Sequence, residues 1–344
     1  MLPGTFIKMP IMKKYFLLLL IPLVSACHSG KHYKTIGEIE KLDPSLDSIL
    51  SPGAKPEIIA EGMGWAEGPL WMEENKMLLF SDVTADTIYQ WTEEKGKQVY
   101  LTPSGYTDTL KRGGEMGSNG LTIDNQGNLL LCQCGNRQIA KMNASIKDPK
   151  ALYTSLAKDY HGKKFNSPND LICNSKGEIF FTDPPYGLEK NMDDPKKEIP
   201  FQGVYKIKKS GEVILLVDSL TRPNGIVLLP GEKTLLIANS DPDKPNWYAY
   251  DLGDSDRLIN GRIFYSAAGS DKQLKGLPDG MKADKSGNLF AAGPGGIWIF
   301  SNQGKLIGKI IIPGIPVSNC ALSGDEKTLY ITNDMNVLRV KMRQ

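Results

Sequence analysis

The sequence predicts an all-β fold: a six-bladed β-propeller of four-stranded antiparallel blades, closed by an N-terminal strand. Three observations carry this. A short apolar run recurs six times, beginning at Leu78, Leu129, Ile179, Leu235, Leu289 and Leu329, at intervals of 51, 50, 56, 54 and 40 residues. A period of that size, with strands and turns but no helical pattern between copies, is the signature of propeller blades. Ten or eleven positions ahead of each run stands one polar residue with an oxygen to offer: Glu67, Asn119, Asn169, Asn224, Asp279 and Asn319. The third observation is arithmetic at the ends of the chain. After the sixth run only 337–341 remains, one strand where two are needed, and 56–60 ahead of the first copy can supply the missing outer strand. Closure of that kind removes an open sheet edge.

Taken in order, the chain begins with Met12-Lys-Lys-Tyr-Phe-Leu-Leu-Leu-Leu-Ile-Pro-Leu-Val-Ser-Ala-Cys27, a basic start, a short apolar run and small residues before a cysteine. The apolar run is short for a membrane span, so residues 1–27 read as a cleaved signal with Met12 as the natural start. Leu23-Val-Ser-Ala-Cys27 resembles the bacterial lipobox, which makes Cys27 a lipidation site. It places the mature protein in the bacterial cell envelope, lipid-anchored and facing the periplasm from the outer membrane. Residues 28–55 read as a tether and 56–344 as the propeller. Each repeat carries a turn signal before its apolar run, such as Asn125-Gln-Gly127 or Lys285-Ser-Gly287, suited to a hairpin. Outer strands follow at 87–91, 138–141 and 203–207. Segments 108–115, 189–201 and 241–247 are the expected lids. In an exported chain disulfides are permitted, but Cys132, Cys134, Cys173 and Cys320 read as buried free thiols.

Composition narrows the function. A net charge of +2 with scattered lysines gives no footprint for a nucleic-acid partner. Of three histidines, two lie in the tether, so a Ser-His-Asp hydrolase would rest on His161 alone. No glycine-rich loop leads into a helix to cradle phosphates.

The six polar positions offer more. Innermost strands of a propeller face the channel, so residues at their entrances converge into a ring of oxygen donors. Two carboxylates with several amide oxygens suit Ca²⁺ best. Mg²⁺ and Mn²⁺ tolerate the same set, whereas Zn²⁺, still a candidate, more often takes His or Cys. Turn chemistry explains Asn or Asp at a strand entrance, but it does not explain Glu67. The chemistry such a site supports is metal-assisted hydrolysis, with Asp279 or Glu67 activating water.

Five motifs in order, Ala66-Glu-Gly-Pro-Leu-Trp71, Asn166-Ser-Pro-Asn-Asp-Leu171, Phe181-Thr-Asp-Pro-Pro-Tyr-Gly-Leu188, Arg222-Pro-Asn-Gly-Ile226 and Pro278-Asp-Gly-Met281, resemble the gluconolactonase/regucalcin (senescence marker protein) family. The resemblance runs from about residue 56 to the end. It implies a six-bladed propeller with one divalent ion that hydrolyses a sugar lactone. Glu67, Asn224 and Asp279 match its metal ligands, and Asp279 also its general base. Asn169 matches a position that binds metal in some relatives and substrate in others. Asn119, Asp170 and Asp183 complete the expected substrate contacts. Two positions depart from the family: Ser167 stands where regucalcin-type lactonases have Arg, and Cys134 where the bacterial branch often has His. The expectation is a lactonase acting on a small lactone, touching the membrane only through its lipid, as a monomer or weak oligomer. The alternatives are a phosphotriester (organophosphate) hydrolase on the same site and a non-enzymatic ligand-binding propeller with a structural ion.

Overall fold

A computed structural model describes residues 1–5, 32–110, 112–253 and 256–343. The expected signal, the Met12 start and Cys27 lie outside the described residues. Residues 1–32 and 33–344 form separate units, and the second holds the fold.

That unit is six antiparallel blades whose strands follow chain order from the channel outward. The innermost strands are Ala66–Met72, Ser118–Ile123, Leu171–Cys173, Pro223–Leu228, Met281–Ala283 and Val317–Leu322, for blades 1 to 6. Each packs on the innermost strand of the next blade, and blade 6 packs on blade 1, so the ring is closed. Blade 6 receives its outer strand from the other end of the chain. Glu57–Glu61 pairs antiparallel with Asn336–Lys341, with Glu57 opposite Arg339.

The six apolar runs form the second strands, for example Leu129–Gln133, buried along its whole length. A strand covered on both faces by neighbouring blades has no solvent side, hence a continuous apolar run rather than an alternation. The core is correspondingly divided. Six apolar clusters occupy the six seams: Leu78, Phe80 and Tyr330 between blades 6 and 1, Phe165, Phe181 and Tyr205 between 2 and 3, Trp247, Trp298 and Phe300 between 4 and 5. The hairpin into each second strand turns through a left-handed residue, Gly127, Gly177, Gly231 and Gly287 in four blades, Lys76 and Glu326 in the others. His161 (φ 53°) caps a small exposed hairpin, away from the channel.

Two expectations are corrected. The segment read as a tether is packed from Tyr33 onward. Glu38–Lys41 adds a fifth strand to blade 5, pairing with Leu306–Ile311. A 3₁₀ turn at Pro44–Ser48, capped by Asp43 accepting from Ser45 N, drives Leu46 into the seam between blades 5 and 6 with Ile49 and Leu50. Three buried aliphatics in five residues outweigh a locally polar composition. The segment 241–247 is not a lid along its length: Asn246–Leu252 is the third strand of blade 4, and Trp247 is core.

Candidate active site

The channel-facing residues are aimed by breaks in the innermost ladders. Pairing with the second strand slips between Glu67 and Leu70, Ser118 and Leu121, Pro223 and Ile226, and Val317 and Asn319. A bulge lets a side chain leave the pleat and point elsewhere, and here it points to the axis. In blades 3 and 5 the same residue stands just before the strand. Four of the six are followed by glycine, and close approach requires it. A Cβ on Gly68 would collide with the Asn119 carbonyl, and one on Gly280 with the Asn319 side chain. Each glycine thus makes room for the next blade.

Five of the six positions, Glu67, Asn119, Asn169, Asn224 and Asp279, line one cavity of about 320 Å³. The sixth does not. Asn319 donates through Nδ2 to Glu67 Oε2 at 3.4 Å, and its Oδ1 accepts from Cys320 N at 2.8 Å. It is a brace under Glu67.

Burial dominates the electrostatics. It pushes Glu67 up to about 8, against the Gly68 N–H, with the Asp170 and Glu115 charges adding to the rise. Asp279 is driven well above the usual carboxylate range by burial and then by Glu67. Burial likewise raises Asp170, and takes Glu115 up to about 7. Four carboxyls gathered in a low dielectric cannot all ionise without a compensating charge.

A cation would supply one, and the donors present fit a cation. Asn169 Oδ1 is buried without a hydrogen-bond partner. Asn224 spends its amide nitrogen on Ser240 Oγ at 3.0 Å, which leaves its oxygen available. Among the described residues no three His, Cys, Asp or Glu side chains form a ready metal cluster. The set is instead two carboxylates and amide oxygens, a hard-cation set.

Two expected substrate contacts stand elsewhere. Asp183 is buried outside the cavity lining, its oxygens accepting from Asn166 N at 2.8 Å and Ser167 N at 2.7 Å. It fixes the loop that delivers Asn169. Asp82 does the same for Glu67 by accepting from Trp65 N, and Asn239 for Asn224 by accepting from Arg222 N. In all three blades the clamped N–H lies two residues before the channel residue. Asp170 takes the place that glycine holds in four blades. Its Oδ1 accepts from Leu171 N at 2.9 Å and its Oδ2 from Ile226 N at 3.4 Å, so it ties blade 3 to blade 4 outside the cavity wall.

Of the other cavity residues, Trp65, Arg222, Leu277 and Val317 share one repeat position, two residues before the ring residue of their blade, whereas Glu115, Tyr186 and Ser240 carry no repeat signal. Trp65, Leu277 and Pro316 form apolar wall, while Glu115, Tyr186, Arg222 and Ser240 add polar groups. Arg222 and Tyr186 stand inside the motifs quoted above, two residues before Asn224 and three after Asp183, and proximity to those positions was the available signal. The four described cysteines are free thiols, but Cys173 is only partly buried, against the expectation that all four are buried.

Comparison with known proteins fits this geometry. The family described as SMP-30/Gluconolactonase/LRE-like region matches residues 65–334. The chain belongs to this family. A gluconolactonase of Zymomonas mobilis is 40 % identical over 325 residues, covering 92 % of this chain and 90 % of that protein. A gluconolactonase structure from Xanthomonas campestris superposes with a TM-score of 0.76 at 27 % identity, covering 91 % of this chain and 99 % of that one. A regucalcin of Agrobacterium tumefaciens, described as calcium-binding, shares the fold at a TM-score of 0.63 and 16 % identity, covering 83 % and 94 %.

The two departures from the family pattern are now explained locally. Ser167 is buried, its N–H held by Asp183 and its Oγ accepting from Gly187 N at 2.8 Å, so it braces two loops. Cys134 donates to the Pro168 carbonyl at 3.3 Å from a fully buried position. Neither side chain lines the cavity.

Proposed function

We propose that the protein opens a sugar-derived lactone, with a divalent cation, Ca²⁺ best suited, at Glu67, Asn169, Asn224 and Asp279 and with Asp279 as general base. The observation that carries this reading is two carboxylates, Glu67 and Asp279, lining one cavity with Asn169, whose buried amide oxygen has no partner. The family's gluconolactonases support the reaction class. A bound cation would polarise the lactone carbonyl and offset the carboxylate charges.

The chain's own groups do the rest. Asp279, its Oδ1 held by Gly280 N at 3.0 Å, takes a proton from water as the water oxygen bonds to the carbonyl carbon. The ring C–O bond then breaks, and the proton passes to the departing alkoxide, giving a hydroxy acid. Glu67 is fixed by Gly68 N and Asn319, so its charge stays at the site without moving. Arg222 and Tyr186 orient the sugar from the wall, and Trp65, Leu277 and Pro316 exclude bulk water.

The test is a panel of aldono-lactones and one phosphotriester, assayed with Ca²⁺, Mg²⁺, Mn²⁺ and Zn²⁺ and after chelation. Lactone turnover that vanishes on chelation and in Asp279→Asn, with that variant still folded by circular dichroism, is the expected result. Turnover of the phosphotriester alone would install the organophosphate reading. A tightly held ion with no turnover would favour the binding propeller.

We further propose a signal over residues 1–27 and a lipid anchor on Cys27, holding the protein in the bacterial envelope on the periplasmic side. The support is the Leu23-Val-Ser-Ala-Cys27 sequence. Cys27→Ser should move the protein from the membrane fraction to the soluble one, and continued sedimentation with membranes would refute the anchor.

A further inference from the structure

Two buried oxygens at the cavity stand without a partner and outside the set assigned to the cation: Glu115 Oε2 and Asn119 Oδ1. The two residues line the same cavity four positions apart in the chain, and the Asn119 side chain lowers the Glu115 carboxyl against the rise that burial causes. No protein donor answers either oxygen. The loop carrying Glu115 is fastened rather than loose. Arg112 Nη1 donates to the Gly135 carbonyl at 2.6 Å, its Nη2 to the Gly187 carbonyl, and Glu115 N to the Tyr186 carbonyl at 3.5 Å.

A buried acceptor without a donor is costly, and the cost is recovered when a ligand donates to it. Two such acceptors among the residues of one cavity suit a ligand that brings hydroxyl hydrogens. An unsubstituted lactone has none to give, and neither has a phosphotriester. Lys, Arg and Trp are donors only, but no such side chain reaches these two oxygens. We infer that Glu115 and Asn119 form a hydroxyl-reading subsite, which selects polyhydroxylated lactones over unsubstituted ones. This rests on the lactonase reading and names the residues that would read the sugar hydroxyls. Glu115 is a specificity residue here. Selection of this kind is steep, because the analogue lacking the hydroxyl leaves the acceptors buried and unpaired.

The experiment compares kcat/KM for glucono-1,5-lactone and δ-valerolactone in the full chain, Glu115→Ala and Glu115→Gln. In parallel it measures binding of the non-hydrolysable glucono-lactam to each. One charged hydrogen bond corresponds to roughly ten- to hundredfold. Glu115→Ala should lose about that factor on glucono-lactone and on lactam affinity, with less than about threefold lost on δ-valerolactone. Glu115→Gln keeps an acceptor oxygen and should recover most of the loss. Equal losses on both lactones, or no recovery in Glu115→Gln, would overturn the subsite while leaving the lactonase reading intact. Lactam binding that depends on Glu115 in a protein that opens neither lactone would leave the subsite standing and remove the lactonase reading. Neither turnover nor lactam binding would remove both.

Discussion

Blades 3 and 6 present the same residue at the same repeat position, and the two side chains do different work. Asn169 and Asn319 both stand at an innermost strand entrance, and neither is followed by the glycine found in the other four blades. In blade 3 the next side chain, Asp170, takes the strand's first N–H from Leu171, and Asn169 Oδ1 is left unpartnered at the cavity. In blade 6 the residue that follows is Cys320, whose side chain has no oxygen. Asn319 therefore accepts from Cys320 N itself, with its amide nitrogen turned to Glu67 and its side chain against Gly280. The difference teaches that equivalence in a repeat fixes where a side chain starts, while its neighbour in sequence fixes what it is free to do.

The comparison extends to the clamps beneath. Asp183 ends the second strand of blade 3 and holds two backbone N–H groups of the loop before Asn169. Asn333 ends the second strand of blade 6, buried, with neither amide atom partnered. Blade 3 is built to hold the Asn169 oxygen still. Blade 6 has no free oxygen to position.

The largest expected effect separates the two asparagines directly. Asn169→Ala should weaken Ca²⁺ binding by roughly ten- to a hundredfold by calorimetry, the loss of one charge-assisted contact. Asn319→Ala should weaken it by less than about tenfold, acting only through the placement of Glu67. Equal losses would abolish the distinction between ligand and brace.

A pH series sharpens the same contrast from the carboxylate side. Glu67 is raised from 4.5 to about 8 in the folded chain and Asp279 is raised well above 3.8. A raised carboxyl means the folded state binds more protons than the unfolded one. Its contribution is therefore full below the unfolded pKa and is lost as pH climbs through the folded one. Without divalent ions, Tm should fall steadily between about pH 5 and 8, the window those values set. Saturating Ca²⁺ should flatten the fall, because cation and proton compete for the same oxygens. A cation-free Tm that rises over this window would contradict the burial of the pair.

The smallest effects belong to the clamps. Asp183→Ala leaves two buried backbone N–H groups unanswered and should cost about 2–4 kcal/mol in urea unfolding. Asn333→Ala removes no hydrogen bond and should cost under about 1 kcal/mol. A larger loss at Asn333 than at Asp183 would reverse the reading of the two blades.

Much of this was legible in the sequence, and the misses have a common cause. Glu67, Asn119, Asn169, Asn224 and Asp279 were legible because each blade repeats the same local geometry, so a period in sequence becomes a circle in space. Asp183 and Asp170 were misassigned because a carboxylate near the ring can face the cavity or the backbone, and residue type does not say which. Glu115 was legible only as the end of the expected lid 108–115 and not as a site residue, because it lies on a connecting loop outside the period, and loops are not bound by the repeat. The strand Glu38–Lys41 was missed because its partner, Leu306–Ile311, lies at the far end of the chain.

The sequence by itself determined the number of blades, the closure of the ring by Glu57–Glu61, and the two blades that bring carboxylates to the axis. Those features are set by local pattern: apolar runs, turn residues and the polar position ahead of each run. Only the tertiary structure decided which of the ring's oxygens remain free. Asn319 meets Glu67 across 252 residues of chain, and Asp170 meets Ile226 across 56. A hydrogen-bond partner is chosen by what the next blade presents, and that choice exists only once the blades have packed.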